Sequence, residues 1–128
     1  TDDLEFPVRL WPHVRAALDW MSPDGDADGD GFIEYARQSA TGLVQQGWKD
    51  SQDSVFHADG ALAEGPIALC EVQGYVYAAR RGLADIASAL GHQSLAAQLV
   101  EDAAALQRRF ESQFWSASTV EIPRRAAR

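Results

Sequence analysis

The sequence predicts a mainly helical fold, with an αα-hairpin in its second half and a long irregular loop ahead of it. Three observations predict this. Apolar residues recur at spacings of three and four through residues 69–90, and again through 95–114. Only Gly91-His92-Gln93-Ser94 separates the two stripes, too short a link to do anything but fold the helices back on one another. The 44 residues from Ser22 to Gly65 carry no long periodic pattern, and a loop of that length in a compact domain usually carries function.

The first helix is expected from about Leu10 to Met21, with Leu10, Val14, Leu18 and Met21 on one face. Pro12 suits a helix only in its first turn, which sets the expected start near Trp11, and Ser22-Pro23-Asp24 stops it. Within the loop, Phe32-Ile33-Glu34-Tyr35 and Leu43-Val44-Gln45-Gln46-Gly47-Trp48 read as a short β-hairpin turning through Ser39-Ala40-Thr41-Gly42. The second helix carries Leu69, Val72, Val76, Ala79, Leu83, Ile86 and Leu90. Gly65-Pro66 supplies its expected start, with Pro at the first helical position, and Gly91 a left-handed stop. The third carries Leu95, Leu99, Ala103, Leu106, Phe110 and Phe114, with Ser94 as N-cap. A single domain therefore spans residues 1–115, as the loop 22–65 and the hairpin 66–115, and the polar, basic segment 116–128 is expected to be an unstructured tail.

Composition narrows the function. An apolar fraction of 46% over 128 residues is that of one globular domain and not of a disordered chain. A net charge of −8 leaves no basic patch to replace phosphate counterions, which argues against nucleic acid as a partner. No run of about 18 apolar residues exists, so no membrane-spanning helix is expected. The single cysteine, Cys70, excludes an internal disulfide and a multi-thiolate metal site; its neighbours Ile67, Leu69 and Val72 predict a buried, inert thiol. Scarce cysteine points to a cytoplasmic setting, while a start at Thr1 without Met leaves an earlier segment and export open.

Two segments of the loop can carry chemistry. Asp26-Ala27-Asp28-Gly29-Asp30-Gly31-Phe32-Ile33-Glu34 fits the first nine positions of a calcium loop. Asp26, Asp28 and Asp30 supply carboxylates, Gly31 the sharp turn, Phe32 a backbone carbonyl and Glu34 the ninth position. The twelfth position is Arg37, so the bidentate glutamate of a full EF-hand is missing, and a solvated Asp-Gly turn is the alternative. A bound Ca2+ here would be structural.

The second segment is Gln46-Gly47-Trp48-Lys49-Asp50-Ser51-Gln52-Asp53-Ser54. An indole stacks on a pyranose ring, and carboxylates hydrogen-bond its hydroxyls or protonate a glycosidic oxygen. Lys49 is the only lysine beside ten arginines, a compact point charge between Trp48 and Asp50. Asp50 and Asp53 would share a face if they lie on one helical turn, and a like-charge pair raises one pKa, as a general acid requires. The competing role for Asp53 or Ser51 is a cap or turn residue.

Taken in order, Asp28-Gly29-Asp30-Gly31-Phe32-Ile33-Glu34-Tyr35, then Gln46-Gly47-Trp48-Lys49-Asp50-Ser51, then the run from Ala63 to Tyr77 resemble the bacterial glycogen-debranching (amylo-α-1,6-glucosidase-like) glycosidases across about residues 6–115. The resemblance implies an (α/α)6 toroid, twelve helices in two rings with the active site at one end, of which this chain would hold a part. It implies Asp50 as the general acid and Trp48 beside it, and places Pro66, Glu71 and Gln73 on the segment that contacts the sugar. Trp48, Lys49, Asp53, Glu71 and Gln73 are therefore the expected substrate-binding set. The general base of these inverting enzymes comes from a later loop. Inversion needs two carboxyl groups roughly 6.5–9.5 Å apart, so the chain alone is expected to be inactive.

The leading expectation is thus a piece of a glycoside hydrolase acting on an oligosaccharide or α-glucan. Helices cut from a toroid expose apolar surface, so the chain is expected to self-associate or to pack against the remainder of the barrel. The alternative is a calcium-stabilised helical module for binding or oligomerisation, without catalysis.

Overall fold

The computed structural model describes residues 4–49 and 51–115. It is mainly helical: α1 (Glu5–Met21), α2 (Cys70–Ala89) and α3 (Gln93–Gln113), with no strand among the described residues. The basic segment 116–128, expected to be unstructured, lies outside the described residues, as does Asp50.

The core sits between α2 and α3. Val76 and Leu106 belong to one buried cluster with Phe32 and Ile33, while Ala84 and Ala87 meet Ala96 and Leu99 in a second cluster nearer the turn. The pairing runs in opposite chain directions. The turn between the helices explains why. Gly91 adopts φ 84°, the His92 N–H reaches the Ala87 carbonyl at 2.8 Å, and the Gly91 N–H reaches Ser88 at 3.0 Å. That double bond closes the end of α2 and needs a residue free to turn left-handed. Ser94 does not cap α3; the helix already begins at Gln93, and the preceding His92 makes no side-chain capping bond.

The buried line of α2 is Gln73, Val76, Ala84 and Ala87, rotated from the expected leucine and valine stripe. Alanines admit the close approach of α3, and Val72 and Leu83 pack on the flanks of the two clusters instead. The start of α2 also differs. Pro66 lies outside the helix because Ile67 is extended, paired with Tyr35 by bonds of 3.1 and 2.9 Å, and Leu69 is still extended at ψ 134°. Cys70, the first helical residue, is exposed rather than buried, its Sγ 3.5 Å from Glu71 Oε2.

Helix α1 begins at Glu5, five residues ahead of the expected Leu10, so Pro12 falls inside it. Proline withdraws only one helical hydrogen bond, and Val8, whose carbonyl loses that donor, is 56% exposed. The helix has no buried residue. Trp11 and Leu18 lie on the alanine cluster, Met21 on the other, and the Trp11 indole stacks on His92 at 5.1 Å. Of the expected face, Val14, Leu18 and Met21 are half-buried, while Trp11 takes the place of Leu10, which is 39% exposed.

The expected β-hairpin does not form. Tyr35 pairs with Ile67 and Phe56 with Leu62, each as an isolated antiparallel bridge. The core anchors this end of the loop: Phe32 is 1% exposed and meets Phe114 edge to face at 5.0 Å.

Candidate functional site

A cavity of about 200 Å³ opens between the loop and the start of α2, lined by Gln45, Gly47, Trp48, Lys49, Ser54, Val55, Leu69 and Glu71. Three of the expected substrate-binding residues, Trp48, Lys49 and Glu71, are thus brought together across more than twenty positions of sequence. Trp48 is 75% exposed, with the Lys49 ammonium 5.4 Å from its ring centre. An exposed indole at a cavity mouth suits ring stacking. The loop lies flat on Leu69 at Gly47, where a Cβ would lie 2.5 Å from Leu69 Cδ1. The Ser54 hydroxyl donates to the Lys49 carbonyl at 3.3 Å and ties the far side of the segment back.

Two members of the cavity wall went unrecognised in the sequence. Gln45 is 5% exposed and accepts a hydrogen bond from the Tyr35 hydroxyl. Burial raises the Tyr35 phenol above its ordinary pKa, the Gln46 backbone opposes this, and the Glu71 carboxylate adds to it. Tyr35 therefore keeps its proton and stays a donor. Leu69 supplies the apolar floor. A glutamine in a loop reads as solvent-facing, and only the bridge that fixes Tyr35 against Ile67 shows otherwise.

The other expected residues are placed differently. Asp53 is exposed and does not line the cavity with Trp48. Gln73 departs from the expected sugar contact. It is 1% exposed; its Oε1 accepts from the Ile33 N–H at 2.9 Å, and its Nε2 donates to the carbonyls of Ile33 at 2.7 Å and Leu69 at 3.1 Å. All three bonds are internal, so its amide holds the loop to α2. Asp50, the expected acid, follows Lys49 in the chain but is outside the described residues.

The acidic loop lies elsewhere, against α3. Carboxylate oxygens of Asp26, Asp28 and Asp30 lie within 4.8 Å of one another. Asp26 Oδ2 accepts from the Gly31 N–H at 2.9 Å, Asp28 Oδ1 from Asp30 at 3.0 Å, and Asp30 Oδ1 from Phe32 at 2.8 Å. Gly31 has φ 93°, and Asp26 Oδ1 and Glu34 Oε2 are buried without a hydrogen-bond partner. Burial raises the Glu34 pKa, and Asp28, Asp30 and Asp26 raise it further, while a bond from the Ala27 backbone opposes them. On the outer side, Arg80 and Arg109 line a polar hollow with Asp26. Burial lowers the Arg80 pKa, Asp102 opposes this, Arg109 lowers it further and Asp26 opposes it.

Comparison of the chain with protein-family models, curated proteins and solved structures finds no match.

Proposed function

We propose that the chain is a sugar-binding piece of an (α/α)6 glycoside hydrolase of the debranching type, acting on an oligosaccharide or α-glucan. The observation that carries this is the convergence of Trp48, Lys49 and Glu71 on one cavity. Indole, ammonium and carboxylate are the complement of a neutral pyranose, with a face to stack on and hydroxyls to receive and donate. Asp50, next to Lys49, is the proposed acid that protonates the leaving oxygen. The base that activates water in an inverting mechanism is assigned to another part of the toroid, so this chain binds sugar without turning it over. The α2 and α3 pair would be one hairpin of that toroid.

Calorimetry with maltooligosaccharides tests the reading. Binding should be measurable for the whole chain and fall at least tenfold in Trp48→Ala, the loss expected of a stacking contact worth about 1.4 kcal/mol or more. No binding, or binding indifferent to Trp48, would contradict it. Robust hydrolysis lost in Asp50→Asn would show instead that a complete site exists within the chain.

The second reading is a calcium-stabilised helical module. The Gly31 N–H bonded to Asp26 beneath three gathered carboxylates supports it, because that is how a calcium loop folds its ligands inward. A cation there would be structural under either reading; calcium binding without sugar binding would favour the module.

A further inference from the structure

We infer that Gln45 is a specificity-determining residue of the sugar cavity, donating through its side-chain amide nitrogen to one ring hydroxyl, and that Tyr35 is its positioning residue. The inference rests on the glucoside-binding reading and deepens it.

A carboxamide has an accepting and a donating end. The Tyr35 hydroxyl donates to Gln45 Oε1, which engages the accepting end and sets which way the amide lies. The Tyr35 main chain that carries this hydroxyl is itself fixed, bonded to Ile67 in both directions at 3.1 and 2.9 Å. The amide nitrogen is then the end left for the cavity that Gln45 lines with Trp48, Lys49 and Glu71. At 5% exposure such an amide is held rather than solvated, and a held polar group discriminates well because a ligand lacking its partner leaves it unpaired. With Gln45 in place the wall offers the Gln45 amide and the Lys49 ammonium as donors and the Glu71 carboxylate as an acceptor. A neutral sugar with adjacent hydroxyls satisfies all three.

The test measures affinity of the wild-type chain and Gln45→Met for maltotriose and for a series of monodeoxy maltotriosides. Methionine keeps the length and removes the amide. Gln45→Met should lose about fivefold to tenfold for maltotriose, and one monodeoxy sugar should bind both proteins equally. A loss of the same size for every sugar in the series would make Gln45 a merely structural residue and overturn the inference. If Gln45→Met does not fold, the wild-type chain still decides it: the Gln45 side-chain amide resonances should shift on adding maltotriose, and unshifted resonances in a chain that binds the sugar would refute the assignment. If the wild-type chain binds no maltooligosaccharide, the underlying reading fails first and this inference with it.

Discussion

At the scale of single residues, a buried amide and a half-buried carboxylate make opposite contributions. Gln73 satisfies both polar groups of the Ile33 backbone from within an apolar cluster. Gln73→Leu keeps apolar volume but strands that N–H and carbonyl, at about 1–3 kcal/mol for each unsatisfied group. A loss of about 3 kcal/mol in urea denaturation is expected; an unchanged midpoint would contradict the anchoring role. Glu34 works against the fold at neutral pH. Its folded pKa lies above the ordinary value of 4.5, from burial first and then from Asp28, Asp30 and Asp26, so the folded state favours its neutral form. The stability tied to that neutral form is fully present below the unfolded pKa and disappears as pH rises through the raised folded value. Glu34→Gln should therefore melt higher than the parent at pH 7 in the absence of divalent cations, and the gain should vanish near pH 4. A gain of equal size at both pH values would show that charge is not the cause.

At the scale of elements, the acidic loop is the part whose behaviour a ligand should change most. Three carboxylates gathered within 4.8 Å repel one another, and a divalent cation converts that repulsion into attraction. Millimolar calcium should raise the melting temperature, and Asp26→Asn should abolish the rise; a melting temperature unmoved by calcium leaves the loop as a solvated turn. This loop was legible in the sequence because its residues are contiguous. The Gly91 stop was legible for the same reason, since its left-handed backbone is a local demand. Local signals failed where distant residues decide. Tyr35 pairs with Ile67, 32 residues on, instead of with the expected strand, and that one pairing moves both Gln45 and the start of α2. The face of α2 departs from the expected one by about one position because large apolar residues mark a stripe more loudly than alanines do. It is the alanines at 84, 87, 96 and 103 that let α2 and α3 touch.

At the scale of the whole molecule, the three helices leave much apolar surface uncovered. Phe6 and Val8 on α1 are 57% and 56% exposed, Trp20 is 51%, and Tyr75 on α2 is 70%. Surface of this kind is expected where helices were shaped to pack against further helices, as the toroid reading requires. Sedimentation velocity at rising concentration should show self-association, and a monodisperse monomer throughout would count against it. The proposed sugar cavity, by contrast, is lined from within the chain, with Trp48 and Lys49 from one loop and Glu71 from α2. The most direct test of that claim is a titration of the isotopically labelled chain with maltotriose, following the indole N–H resonances of its four tryptophans. Trp48 should shift while Trp11 and Trp20, on α1, stay in place. A titration in which Trp48 does not move, or moves no more than the α1 indoles, would contradict the account.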